Sequence, residues 1–315
     1  MESYAPYLRT ERTTRSVMGD VCLALLPALA GGVYFFGLRA LWTALVSAVV
    51  CVLSEFVFQK LARQPVTAAD GSALVTGLLL AMNLPATVPF WAVAVAGVFA
   101  IVVVKQLFGG IGSNIANPAL MGRLFLMTVW PASVLQAPIP RTLPADAFTS
   151  ATVLNAAKAG TESGYSLWQM FIGEIPGALG ETSKLLLLVG FGYLCLRGLV
   201  NAGAAAVYIG SVVLLTFVFG PDGLFTGSIL QNLLSGSLIL GGCFMLTDYQ
   251  FVSRRGRLLC ALAAGIVTAG FRCFSAYPEG VCFGILTANC LAGLISLIES
   301  RHIYGKTAKN GRNGS

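Results

Sequence analysis

"DGSALVTGLLLAMNLP", residues 70–85, and "LSGSLILGGCFMLTD", residues 234–248, are the two segments on which the fold turns. Each opens on a glycine and a serine, Gly71–Ser72 and Gly236–Ser237. Eleven positions beyond each serine stands a polar residue, Asn83 in one and Asp248 in the other. Each then continues into a further apolar segment, a break ("GGIGSNIANPA", 109–119, and "SAYPEGVCFG", 275–284) and another apolar helix. Two copies of a five-segment unit must lie in opposite orientations, and short or interrupted helices at matching places put a site between them. Irregular backbone at that depth has to be shielded by protein or line a cavity, because lipid cannot satisfy its N–H and C=O groups.

The rest of the chain agrees with a bilayer setting. It has 315 residues, 56% of them hydrophobic and 10% charged, with a mean hydropathy of +0.80, too little polar surface for a water-soluble globule. Ten apolar segments are expected to be helical spans: 17–38, 40–58, 72–84, 90–107, 118–130, 185–196, 202–219, 228–246, 258–271 and 281–298. With a cytoplasmic N-terminus, fourteen of the twenty Lys and Arg fall on the inner side, following the positive-inside rule. The other six are Arg39, Arg123, Arg141, Lys158, Lys184 and Arg272. The fold class is therefore an all-α polytopic membrane protein, ten helices in two inverted five-helix repeats, with both termini cytoplasmic. Its parts are a first repeat over 1–130, an outward loop over 131–183, a second repeat over 184–300 and a basic tail over 301–315. The net charge of +7 is read as topology signals facing anionic lipid, with no nucleic-acid surface. The polar start, "MESYAPYLRTERTTRSVMGDV", lacks a cleavable signal, so the first apolar helix is expected to direct insertion.

Eight cysteines are scattered through apolar runs without metal-ligand spacing, and only Cys273 and Cys282 are placed to meet across a turn. The single histidine, His302, lies in the basic tail, which argues against a histidine metal site. Asp20 and Glu55 lie near inner helix ends, and the expectation is local pairing with Arg15 or Lys60. Around "NIANPALMGRLF", residues 114–125, Asn117 is expected to cap a helix whose first position is Pro118. Gly109, Gly110 and Gly112 permit close approach of a chain or a flat ligand. Arg123, six residues into that helix, faces a phosphate, a carbonyl ring edge or a carboxylate.

The outward loop contains "DAFTSATVL", residues 146–154, alone a turn or helix cap by composition. Together with "GSALVTGLLLAMNLP", "KQLFGGIGSNIANPALMGRLFL", "GEIPGALGETSKL", "LLSGSLILGGCFMLTD" and "YPEGVCFGILTANC", in chain order, it resembles one family. That family is the D subunit of the Rnf ion-translocating electron-transfer complex, related to the B subunit of the sodium-pumping NADH:quinone reductase. The resemblance implies covalent flavin mononucleotide (FMN), joined through its phosphate to Thr152, the last threonine of a motif that here reads Asp146, Ala147, Phe148, Thr149, Ser150, Ala151, Thr152. It also implies a second, non-covalent flavin, riboflavin in relatives. Gly109, Gly110, Asn114, Asn117, Arg123 and Asp248 are the candidates for that flavin or for an ion. The implied partners are the other membrane and peripheral subunits of an Rnf-type complex, an FMN-bearing G-type subunit among them, and a flavin transferase for maturation. The chain departs from the family pattern at Ala5, Pro6 and Tyr7 (usually Ser-Pro-His) and at residues 249–253 (usually Pro-Val-Thr-Ser-Pro). It also departs at Gly293 and Ser296, where a proline and an aspartate are usual.

The function expected on this reading is a flavin-carrying membrane subunit of the bacterial inner membrane. It would couple electron transfer, ferredoxin to NAD in relatives, to Na+ or H+ transport, the flavin supplying the chemistry. The alternative is a secondary transporter or channel of inverted-repeat fold without a redox role.

Overall fold

The computed structural model describes residues 13–114, 116–143, 153–158, 164–181, 183–221, 223–246, 253–275, 277 and 279–310. Each of the ten apolar segments is helical there. The first half holds α1 (Thr14–Phe36), α2 (Leu38–Leu61), α3 (Ser72–Met82), α4 (Phe90–Val98, continued by a π-helical stretch, Phe99–Gln106) and α5 (Pro118–Val129). Three short helices follow, α6 (Pro131–Leu135), α7 (Val153–Lys158) and α8 (Leu167–Ile172), in the segment read as an outward loop. The second half holds α9 (Lys184–Leu196), α10 (Ala202–Val218), a two-residue hairpin of β1 (Phe219–Gly220) with β2 (Gly223–Leu224), and α11 (Ile229–Leu234). It ends with α12 (Leu238–Leu240, continued by a π-helical stretch, Gly241–Met245), α13 (Arg254–Phe274) and α14 (Val281–Asn310).

Four of these are long and apolar enough to cross a bilayer: Thr14–Phe36, Leu38–Leu61, Arg254–Phe274 and Val281–Ile298. No more than 39% of any of the four is buried inside the protein. Their exposed faces carry large apolar side chains such as Leu23, Trp42, Leu53 and Ile266, as contact with lipid requires. The chain is thus a mostly helical, multi-pass membrane protein.

Local chemistry sets the helix starts. Asn117 accepts from the amides of Ala119 and Leu120 with Pro118 at the first helical position, as expected. Ser166 and Gln169 close a capping box on α8. Small residues set the helix spacing: a Cβ built on Gly190 would lie 2.0 Å from the Ala24 carbonyl oxygen, so α9 meets α1 backbone to backbone.

The ion pairs near the helix ends correct the sequence reading. Asp20 pairs with Arg197 at 3.0 Å and accepts from Tyr193, not from Arg15. Glu55 pairs with Lys105 at 2.9 Å, also taking Gln106, and not with Lys60. Arg15 and Lys60 share a helix with these carboxylates, whereas Arg197 and Lys105 come from neighbouring helices. Lys105, counted as an inner-surface charge, is buried and donates to Ser72 at 2.6 Å. Cys273 and Cys282 do not join: both are free thiols, and Cys282 donates to the Leu120 carbonyl.

Candidate functional site

Three irregular segments converge beside the middle of α5. The first is the C-terminal end of α3, where Asn83 closes the helix and donates from Nδ2 to the Leu79 carbonyl at 2.7 Å. The second is "IPGALGETSK", residues 175–184, laid against that end: the amides of Leu179 and Gly180 donate to the carbonyls of Leu84 and Met82. The third is the break between α13 and α14, with Glu279. Pro176 in the second lacks an amide hydrogen, which interrupts helical pairing there and frees backbone groups to meet side chains.

Arg123 reaches from α5 into this junction. It forms an ion pair and hydrogen bond with Glu279, donates to Asn83 Oδ1 at 3.3 Å, and has Glu181 Oε1 3.8 Å from its Nη1. The carboxylate named among its partners from sequence is met by Glu279. Glu279 also accepts from the amide and hydroxyl of Ser237, the serine that pairs with Ser72 in the repeat reading. Lys184 is wholly buried and donates to the carbonyls of Glu181 and Gly236, whereas Arg272 holds the carbonyls of Asn232 and Ser235. Three cations and two carboxylates, brought from segments far apart in the chain, thus meet here, Arg123, Lys184, Arg272 and Glu181 buried and Glu279 half-buried. Each charge is held by hydrogen bonds or an opposite charge, as burial demands.

Glu181 and Glu279 stand in connecting segments, outside the ten apolar helices. Burial pushes the Glu181 carboxyl up to about 7, the Glu279 charge adds to the rise, and Arg123 opposes it. Burial acts on Glu279 in the same direction, but Arg123 and the two Ser237 donors outweigh it and hold this carboxyl below the usual range. Two carboxylates sharing one guanidinium separate in this way: one stays ionised and the other holds a proton near neutrality.

A cleft opens on the cluster, lined by Pro85, Arg123, Val153, Leu154, Ile175 and Glu279 among others. Counting its open mouth, it encloses about 710 Å³ of empty space. It is a narrow slot: a water molecule's centre reaches only about 70 Å³ of it. Arg123 lines this cleft, and its Nε is buried without a hydrogen-bond partner among the described residues. Val153 and Leu154 directly follow Thr152 in the chain.

The sequence-derived candidates do not form one group. Arg123 belongs to the junction. Gly109, Gly110 and Asn114 lie beyond the N-terminal end of α5, where Gly109 and Gly110 take positive φ (105° and 89°) and Asn114 Oδ1 is buried without a partner among the described residues. Asn117 is spent on its cap, about 9 Å along the helix from Arg123 at about 1.5 Å per residue. Asp146, Thr149, Ser150, Ala151, Thr152 and Asp248 lie outside the described residues. Glu181, Glu279, Lys184 and Arg272 escaped the sequence-derived candidate set. Their common signal is a charge at the border of an apolar segment, three of the four beside a Gly- or Pro-bearing break.

The model of the NQR2, RnfD, RnfE family matches residues 1–305. The D subunit of the Na(+)-translocating ferredoxin:NAD(+) oxidoreductase complex of Acetobacterium woodii is 40% identical over 311 residues, covering 97% of this chain and 95% of that protein. The D subunit of the proton-translocating ferredoxin:NAD(+) oxidoreductase complex of Clostridium ljungdahlii is 38% identical, covering 93% and 92%. The D subunit of the ion-translocating oxidoreductase complex of Escherichia coli O1:K1 is 32% identical, covering 96% and 97%.

Proposed function

Because the chain belongs to the NQR2, RnfD, RnfE family, we propose that it is the D-type membrane subunit of a redox-driven ion translocase, with FMN esterified to Thr152. It works with the other subunits of that complex, including an FMN-bearing G-type subunit, and is matured by a flavin transferase. The observation that carries this reading is the slot, which the two residues after Thr152 line together with Arg123 and Glu279. A flavin ring is flat and largely apolar with one polar edge. Apolar Pro85, Val153, Leu154 and Ile175 fit its faces, and the unpartnered Nε–H of Arg123 fits an acceptor on the edge. When bound, FMN would supply the electron-carrying step.

The chain's own residues do the rest. The ester at Thr152 would limit the ring's reach to the adjoining slot, so its position is set by covalent length instead of affinity. Arg123 presents positive charge, Glu279 keeps that charge in place, and Glu181 holds a proton it can release at neutral pH. A change of charge in the slot would shift that balance, and two arrangements of the junction with different charge preference would couple it to ion movement. The two relatives named for Na+ and for protons share the family, so the coupling ion has to be measured on this protein.

Ten spans in two inverted repeats, with both ends cytoplasmic, are part of the same proposal. Matched local geometry supports it. Gly71 and Gly236 both take positive φ (85° and 65°), and Ser72 and Ser237 both bind a buried ionic partner, Lys105 and Glu279. The buried, unpartnered Asn114 Oδ1 near Gly109 and Gly110 supports a second ligand at the inner break, which we assign to the non-covalent flavin.

The test is ultraviolet in-gel fluorescence of the denatured chain coexpressed with its flavin transferase. A fluorescent wild-type band that disappears in Thr152→Ala is expected. A dark wild-type band would favour a transporter without a redox role.

A further inference from the structure

A second, roomier cavity lies at the ends of α10 and α13, beside the β1–β2 hairpin, and a water molecule's centre reaches about 440 Å³ of it. Its polar side chains include Lys158 of α7 and Arg272 of α13. Arg272 is 3% exposed, its two terminal nitrogens are spent on the Asn232 and Ser235 carbonyls at 2.7 and 3.1 Å, and its Nε has no partner among the described residues. Lys158 donates to the Ser275 carbonyl. Among the described residues neither cation is bonded to a carboxylate; the neighbouring Glu279 is bound to Arg123 and Ser237 instead. Two cations facing a cavity, one of them buried with a free N–H, leave positive charge for an anion to neutralise.

The mouth indicates the source of that anion. Phe219, Leu224 and Phe274 line it and are all exposed, and the rings of Phe219 and Phe274 meet edge to face at 5.7 Å. They stand where two apolar helices end, near the depth at which acyl chains give way to lipid headgroups. An apolar rim around a cationic floor matches an amphiphile with a phosphate head and hydrocarbon tails. We propose that this cavity binds a glycerophospholipid of net negative charge, its phosphate on Lys158 and Arg272 and its acyl chains along Phe219, Leu224 and Phe274. Lipid held there would tie α7, which follows the flavin-attachment motif, to α13, which leads to Glu279.

The test is native mass spectrometry of the full chain in mild detergent with added phosphatidylglycerol or phosphatidylcholine. Preferential retention of phosphatidylglycerol is expected. Lys158→Gln should weaken it about fivefold, the effect of one Lys at an anionic lipid surface, and Lys158→Arg should preserve it. Equal retention of the two lipids, or an unchanged Lys158→Gln, would overturn the proposal. Thr152→Ala separates the other source of a phosphate ester, the tethered flavin. Unchanged lipid retention in that variant supports the lipid assignment. Phosphatidylglycerol binding only when Thr152 is lost would assign the cations to the flavin phosphate and overturn it. The chain masses in the same spectra report flavin attachment separately.

Discussion

Replacing Arg123 by methionine keeps most of the side-chain volume and removes the only cation paired with Glu279 among the described residues. Glu279 is then left half-buried with Ser237 as its donor, beside the Glu181 carboxyl. The protein can leave it ionised, at about 3 to 5 kcal/mol for a broken buried pair, or protonate it. Protonating a carboxyl of ordinary pKa near 4.3 costs about 1.36 × 2.7, or about 3.7 kcal/mol, at pH 7 and only about 1 kcal/mol at pH 5. The cheaper route sets the loss, so Arg123→Met should destabilise by about 3 to 4 kcal/mol at pH 7 and about 1 kcal/mol at pH 5. In apparent melting temperature this is on the order of 10 °C against about 3 °C. The assay is thermal unfolding of detergent-solubilised protein followed by size-exclusion chromatography, variant against wild type at each pH. Adding Glu279→Gln should recover most of the pH 7 loss and erase its pH dependence. An equal loss at both pH values, or none, would refute the view that the Glu279 carboxylate depends on this arginine.

Further outcomes follow from the same geometry. The Glu181 carboxyl is raised to about 7, so its contribution to stability is complete below the ordinary carboxylate range and is lost as pH rises through 7. Glu181→Gln should flatten that decline between about pH 5 and 8 in the same melting assay, and an unchanged slope would count against it. Glu55→Ala strands Lys105, which is 2% exposed, and should cost about 3 kcal/mol, with Glu55→Ala/Lys105→Met recovering most of it. Gly190→Ala drives a methyl into the Ala24 carbonyl and should cost about 1 to 3 kcal/mol, whereas Gly192→Ala, with nothing within 4 Å, serves as the near-neutral control.

Much of this architecture is legible in the sequence because apolar length and helix caps are local properties. All ten apolar segments hold helix, and the Asn117–Pro118 start lies where the residue types place it. The eighth segment reads as one span, yet it breaks between Leu234 and Leu238, where Ser235, Gly236 and Ser237 interrupt it. Helices α6 to α8 escape a sequence reading because each is only five or six residues long, too short for a periodic signal, though the Ser166–Gln169 box is there to find. Charge partners are the least legible. Asp20 meets Arg197 and Arg123 meets Glu279 across 177 and 156 positions, and sequence proximity favours nearer cations that point elsewhere. Arg123 stands out as an embedded charge, whereas Glu181 and Glu279 sit inside glycine- and proline-bearing breaks that read as turns. Their role emerges only when three such breaks are brought to one place.

The most direct measurement is the intact mass of the chain purified from its native host. The expected result is a species heavier than the polypeptide by one FMN less one water, with fragmentation placing the addition on Thr152. A chain of unmodified mass, or an addition on another residue, would contradict the flavin-carrying role.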